Sequence, residues 1–159
     1  MNYILFDGPF RNALLPFTYT RPVADIRIGI LTIREKWETF LGLTTTTVTE
    51  DYLSNKFPMV EFSDNTMING SYLPTHELVD MLQNLNENEA VFDGEVVVAF
   101  RVSDTQESVD FTQFKIHSCP ESVLSIKNTW DIFQLNGVAI EADFNLITKD
   151  KTSQPIPKQ

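Results

Sequence analysis

The chain has 159 residues, of which 42% are hydrophobic and 21% are charged, so it is long enough for one compact domain and too apolar to be disordered. Its net charge of −10 opposes non-specific binding to nucleic acid. No apolar run approaches the roughly 20 residues that cross a bilayer, so we expect no membrane span. The single Cys119 and two histidines exclude an internal disulfide and a structural zinc site and favour a cytoplasmic location.

The basic residues are distributed unevenly along this acidic chain. Four of the five arginines lie in the first 34 residues: Arg11, Arg21, Arg27 and Arg34. Because the guanidinium group suits bidentate contact with phosphate, we expect an anion site near the N-terminus. Arg34 and Lys36 alternate with glutamates at helical spacing, which favours a solvated helix face for these two.

The apolar pattern predicts alternating strands and helices. Short apolar or β-branched runs predict strands at 3–6, 44–48, 59–62, 66–69 and 95–102. Apolar residues three and four apart predict helices at 23–40, ended by Gly42, at 75–85, capped by Thr75, and at 129–147, capped by Thr129. This alternation predicts an α/β domain with a largely parallel sheet over residues 1–147. Residues 148–159 are polar and contain two prolines, so we expect a linker or tail there.

The first strand, loop and helix form the part of an α/β fold that commonly holds nucleotides. Gly8 is the only glycine before Gly29, which excludes a dinucleotide fingerprint and a P-loop. Residues 14–29 instead read L-L-P-F-T-Y-T-R-P-V-A-D-I-R-I-G. This segment resembles the opening of sugar nucleotidyltransferases, in particular a divergent bacterial group of UDP-N-acetylglucosamine diphosphorylase or glucose-1-phosphate thymidylyltransferase-like proteins. The similarity continues through 68–70 and 130–144.

The resemblance implies a Rossmann-like nucleotidyltransferase domain with a mixed, mostly parallel central sheet flanked by helices. The implied reaction transfers a nucleotidyl group from a nucleoside triphosphate to a sugar-1-phosphate and releases pyrophosphate. The resemblance also implies Mg²⁺ as a cofactor. Longer relatives continue into a left-handed β-helix of hexapeptide repeats, and no such repeat occurs in this sequence.

The resemblance also implies roles for individual residues. Arg11 takes the place of the loop arginine that meets the triphosphate, and Arg21 that of a lysine following a proline, so both are candidate catalytic residues. Arg27 is an alternative to Arg21. The other candidate nucleotide- or sugar-phosphate-binding residues are Asp7, Gly8, Thr18, Asn69 and Gly70.

Three departures from the family pattern favour an alternative function. Asp7 and Pro9 stand in a loop that ordinary family members build of small residues, and here they repel phosphate and remove an amide donor. Residues 69–70 are asparagine and glycine where the family has a Gly-Asp metal-binding turn. The remaining candidates for a metal-binding carboxylate are Asp131 and Asp143, and their position on the last predicted helix favours a solvated helix face instead. The alternative is a degenerate, non-catalytic domain that binds a sugar nucleotide or packs against an acyltransferase module.

Overall fold

The computed structural model describes residues 2–103 and 109–154. Its strands are β1 (Asn2–Phe6), β2 (Thr46–Val48), β3 (Asn65–Asn69), β4 (Glu89–Asp93), β5 (Val96–Val102) and β6 (Lys115–Ser118). Its α-helices are α1 (Ile33–Leu41), α2 (Asp51–Ser54), α3 (His76–Gln83), α4 (Thr129–Gln134) and α5 (Asn136–Thr148). Short 3-10 turns lie at Arg11–Leu14, Phe17–Tyr19, Val23–Asp25 and Phe111–Gln113.

The six strands form one sheet in the order β2-β1-β3-β5-β4-β6. β1 pairs in parallel with β2 and β3, and β4 pairs in parallel with β6, whereas β5 is antiparallel to both of its neighbours. Parallel neighbours need a crossover connection, and the one between β1 and β2 contains α1. The prediction of a mixed, mostly parallel sheet flanked by helices is confirmed.

Both faces of the inner part of the sheet are buried, which explains why β1 and β5 are nearly continuous apolar runs. Leu5 points to one face, where it belongs to the larger core cluster with Trp37 of α1. Its neighbour Ile4 points to the other face, into a smaller cluster with Phe100. Phe111 closes this second cluster, with its ring centroid 5.2 Å from that of Phe100 in an edge-on arrangement.

The first long helix is shorter than the predicted segment 23–40. Val23–Asp25 forms only a 3-10 turn, and α1 begins after Thr32. Thr32 and Glu35 form a capping box, in which each side chain accepts a hydrogen bond from the other residue's backbone N–H, at 3.1 and 2.7 Å. This reciprocal cap sets the start of the helix. Gly42 ends it in the left-handed conformation, as predicted.

Other boundaries also differ from the prediction. Residues 59–62, which the apolar pattern predicts as a strand, are exposed and form none. Strands β4 and β6 are present in the structure, and the apolar pattern predicts neither of them. β6 lies at the edge of the sheet and is mostly exposed, so it lacks the apolar run that marks the inner strands. The last predicted helix divides at Leu135, and Asn128 rather than Thr129 is its N-cap.

The expectation of a solvated face at Arg34 and Lys36 is wrong. Arg34 donates from Nε and Nη2 to the two carboxylate oxygens of Asp25 at 2.9 and 2.8 Å. Lys36 is 4% exposed and forms an ion pair with Asp143 of α5. Other parts of the chain cover this side of α1, and spacing within a single helix cannot reveal them.

The described residues beyond the last helix are exposed. α5 ends at Thr148, and residues 149–154 have no apolar core contact. The rest of the predicted linker lies outside the described residues, as do Asp104 and Glu107 of a stretch that its acidic composition predicts to be a loop. Within residues 2–103 and 109–154, no helix has the length and apolarity needed to span a membrane.

Candidate functional site

A cleft opens at the edge of the sheet where β1, β2 and β3 have their carboxyl ends. These strands are parallel, so the residues that follow them meet at this edge. The cleft has a volume of about 460 Å³ and lies between the loop after β1 and the segment after β2. Its lining residues are Asp7, Gly8, Pro9, Arg11, Asn12, Val48, Thr49, Glu50 and Asp51. Ligands of open α/β sheets bind outside the carboxyl ends of strands, which makes this cleft the candidate site.

Asp7 fastens the loop to the sheet edge. Its Oδ1 accepts a hydrogen bond from the backbone N–H of Val23 at 2.6 Å. Its Oδ2 accepts one from Arg11 Nη1 at 2.5 Å and another from Thr49 Oγ1 at 2.6 Å. Both carboxylate oxygens are therefore occupied, and Asp7 joins the end of β1 to the loop and to the end of β2.

Arg11 lies on the wall of the cleft but is only 8% exposed. Its Nη2 donates to the carbonyl oxygen of Thr18 at 2.7 Å and to the hydroxyl of Tyr52 at 3.0 Å, and its Nε is 3.4 Å from a carboxylate oxygen of Glu50. Thr18 is fully buried, and its Oγ1 donates a hydrogen bond to the carbonyl oxygen of Arg11 at 2.9 Å. The guanidinium group thus already holds protein acceptors where a phosphate contact is predicted.

Gly8, Asn69 and Gly70 meet behind the cleft. The fully buried Asn69 donates from Nδ2 to the carbonyl oxygen of Val97 at 3.0 Å and accepts at Oδ1 from the backbone N–H of Ser71 at 3.0 Å. A Cβ atom at Gly8 would lie 2.4 to 2.7 Å from the atoms of this amide group, so only glycine fits there without a rearrangement. Gly70 donates its backbone N–H to β1.

Arg21 and Arg27 lie apart from the cleft that contains Arg11. Both line a second, smaller pocket of about 160 Å³, which also includes Ile132 of α4. Arg27 donates to a loop carbonyl and is 3.6 Å from a carboxylate oxygen of Glu35, with a side chain that is 55% exposed. The predicted arginine cluster is therefore divided between two places on the surface.

The two carboxylates predicted on the last helix serve the fold. Asp131 Oδ2 accepts hydrogen bonds from the backbone N–H groups of residues 127–128 at 2.7 and 2.8 Å, which caps α4. Asp143 Oδ2 accepts from the backbone N–H groups of residues 30–31 at 2.8 and 3.0 Å, and its Oδ1 pairs with Lys36. Asp143 is 2% exposed, so the expectation of a solvated position is wrong for it.

A polar cluster that the sequence analysis did not predict lies at the same edge, at the end of β4. The Tyr72 hydroxyl donates to Asp93 Oδ2 at 2.9 Å, and Lys127 Nζ is 3.2 Å from the same oxygen. The bond from Tyr72, followed by Lys127, lowers the pKa of Asp93, while burial is the main cause of the raised pKa of Tyr72. The Lys127 ammonium also lies 5.6 Å above the Phe10 ring of the loop. Tyr72 and Lys127 lie 21 and 34 residues from Asp93 in the chain, so local sequence patterns cannot predict this cluster.

A further cleft of about 400 Å³ lies beside α3. Glu89 on its wall accepts a hydrogen bond from Lys115 Nζ at 2.9 Å and is 3.3 Å from His117 Nε2. The bond from Lys115 is the main cause that lowers the pKa of Glu89 to about 2. Among the described residues, no group of three His, Cys, Asp or Glu side chains is arranged to hold a metal ion.

A comparison with protein families gives one match. A family model described as sugar nucleotidyl transferase matches residues 3–152, which include the whole sheet except Asn2 and all five helices. No curated protein matches the chain.

Proposed function

Because the chain belongs to the sugar nucleotidyl transferase family, we propose that it binds a nucleoside triphosphate and a sugar-1-phosphate at the cleft after β1 and β2 and transfers the nucleotidyl group between them. The observation that carries this proposal is the position of the cleft at the carboxyl ends of parallel strands, with Arg11 on its wall. We also propose that the sugar is N-acetylglucosamine or glucose and that the protein acts in the cytoplasm. We further propose that the chain is part of a longer protein with a β-helix domain.

In the proposed reaction, a phosphate oxygen of the sugar-1-phosphate attacks the α-phosphorus of the nucleoside triphosphate. The bond from the α-phosphorus to the oxygen that bridges to the β-phosphorus breaks, and pyrophosphate leaves. Catalysis of such transfers depends on positioning the reactants and on neutralising their charge. Arg11 is the cation at the cleft wall, and a phosphate would have to share or displace its contact with Asp7.

The residues predicted for Mg²⁺ do not fit a metal site in this fold. Both ends of the Asn69 amide group are bonded within the protein, and Asp131 and Asp143 accept backbone and lysine hydrogen bonds. Mg²⁺ needs oxygen ligands that are free to face the ion, and these oxygens accept hydrogen bonds within the protein. We therefore assign no step to a metal held by these residues.

A second candidate function is binding of a sugar nucleotide without transfer. The specific observation in its favour is that Arg11 already has Asp7, Thr18 and Tyr52 as partners, while Glu50 and other carboxylates add negative charge to the cleft. A cleft of this kind would hold the sugar and base by hydrogen bonds better than it would hold a triphosphate.

A coupled assay of pyrophosphate release, with a panel of nucleoside triphosphates and sugar-1-phosphates in the presence of Mg²⁺, separates the two candidates. Calorimetry with the same ligands and with sugar nucleotides measures binding alone. Release of pyrophosphate supports transfer, whereas binding of a sugar nucleotide without release supports the second candidate. Asn12→Trp should block either function because Asn12 lines the cleft, and Gln83→Trp, exposed at the end of α3, is the matched control.

A further inference from the structure

We propose that two copies of this chain associate through an exposed apolar seam that runs along α4 and α5 in antiparallel fashion. The α4–α5 seam consists of Trp130, Phe133, Gly137, Ile140 and Phe144. These residues are separated by three, four, three and four positions, which is the heptad spacing of helices that pack along one another. Backbone bonds of helical spacing continue across the joint, from Leu135 to Asp131 and from Ala139 to Leu135.

The seam exposes large apolar side chains. Trp130 and Phe144 are each 59% exposed, and Phe133 is 86% exposed. At 150–250 Å² for a whole aromatic side chain, these three expose about 400 Å², which already reaches the size of the largest patch on a typical monomer. A standard interface buries about 800 Å² on each partner. The seam and its surroundings provide a substantial part of that area.

The seam is complementary to itself when one copy is reversed. A two-fold axis placed between residues 138 and 139 brings Phe133 opposite Phe144 of a second copy, and Trp130 opposite residue 147 of that copy. Phe133 and Gly137 then meet the seam positions Phe144 and Ile140, as in antiparallel helix pairs, where a and d positions face one another. A single self-complementary patch is what a two-fold dimer requires.

The positions beside the seam carry little accessible charge, so the net charge of −10 does not oppose a second copy there. The flanking positions are Gln134, Asn136, Glu141, Asp143 and Thr148. Asp143 is buried and paired with Lys36, which leaves Glu141 as the only accessible flanking charge. Arg21 lines the pocket beside α4, and interfaces are enriched in aromatic residues and arginine. Two anionic copies can thus approach here with little repulsion.

The test is sedimentation analysis of the full chain between about 2 and 200 µM, a range that detects micromolar dissociation constants. The wild type should convert to a species of twice the 18.2 kDa chain mass as its concentration rises. Phe133→Glu should weaken this association at least ~10-fold, as loss of a central aromatic contact does. Phe62→Glu is the matched control, because Phe62 is 63% exposed in another part of the chain and should leave the dissociation constant unchanged.

A charge exchange tests the antiparallel arrangement. Phe133→Glu and Phe144→Lys should each favour the monomer, and the double variant should regain association because every new glutamate then faces a lysine of the other copy. Circular dichroism confirms that each variant is folded. A monomeric wild type at the highest concentration would overturn the proposal. Equal effects of Phe133→Glu and Phe62→Glu, or no recovery in the double variant, would also overturn it.

Discussion

Lys36 and Asp143 lie 107 residues apart in the chain and form an ion pair in which neither side chain is more than 5% exposed. Burial lowers the pKa of Lys36, and the hydrogen bond to Asp143 opposes this shift. Asp143 also accepts the backbone N–H groups of residues 30–31, and Gly29, with φ of +78°, brings this turn against α5. The pair therefore fixes α5 to α1 and to the loop before it.

We predict that Asp143→Ala lowers the free energy of unfolding by about 3 to 5 kcal/mol, because it leaves the Lys36 charge buried without its partner. Urea denaturation measures the loss. Glu141→Ala on the exposed side of the same helix is the control and should stay within about 0.5 kcal/mol of the wild type. A cost below about 1 kcal/mol for Asp143→Ala would show that the pair contributes little.

Arg34 is a second residue that the sequence predicts to be solvated and that forms an ion pair in the structure, here with Asp25. Arg34→Ala should cost about 1 to 2 kcal/mol, since it removes two charge-assisted hydrogen bonds to the partly exposed Asp25. Arg34→Lys should recover little, because an ammonium group cannot contact both carboxylate oxygens in the same way. Thermal and urea unfolding are the measurements, with exposed Arg27→Ala as the control. Full recovery by lysine would contradict the bidentate contact.

The sequence predicts those elements that carry their own signal. Strands β1 and β5 are largely apolar runs, and β3 has Met67 and Ile68 beside the β-branched Thr66. Helix α3 has both an apolar stripe and Thr75, whose side chain accepts a hydrogen bond from the backbone N–H of Leu78. Edge strand β6 cannot be predicted in this way, because it is mostly exposed and has no apolar run. It is held in the sheet by its backbone pairing with β4. The spacing on α1 predicts solvated charges for a similar reason, since the partner of Lys36 is Asp143 of α5, 107 positions away, and that of Arg34 is Asp25 in the loop before the helix.

The location of the candidate site could also be predicted, but not the state of its side chains. The chain order places Asp7 and Arg11 after β1, and Asn69 after the parallel strand β3, so their common edge follows from the fold class. The contacts that engage Arg11 come from Thr18 and from Tyr52 beyond β2. Such contacts depend on the loop's path, which local spacing does not determine.

The ion pair between Glu89 and Lys115 should make the free energy of unfolding depend on pH. The pKa of Glu89 is about 2 in the folded protein, below its ordinary value of 4.5, so between these values the folded chain binds fewer protons than the unfolded chain. Unfolding then takes up a proton, and the contribution of Glu89, present above about pH 4.5, is lost as the pH falls towards 2. The difference in Tm between wild type and Glu89→Gln should therefore shrink from pH 6 to pH 2. Glu95→Gln, at an exposed turn, should show no comparable trend.

Arg11 and Arg21 should behave differently when replaced. Arg11→Ala should lower the free energy of unfolding by about 2 to 4 kcal/mol, because Asp7 loses a charged partner in a mostly buried position. Arg21→Ala should change it by less than about 0.5 kcal/mol, since Arg21 is exposed. Chemical denaturation compares the two. Equal stabilities would mean that the Asp7–Arg11 network does not support the loop.

Gly8→Ala should cost about 1 to 3 kcal/mol, the usual range for forcing an extra methyl group into a packed interior. The new Cβ atom would lie within 2.7 Å of the Asn69 amide group, which cannot turn away without losing its bonds to Val97 and Ser71. A double-mutant cycle isolates this clash: in an Asn69→Ala background the amide is absent, so Gly8→Ala should cost distinctly less. Gly137→Ala is the control, because no atom lies near its Cβ position and alanine favours a helix by up to about 1 kcal/mol. An equal cost of Gly8→Ala in both backgrounds would show that Asn69 is not the group that requires glycine at position 8.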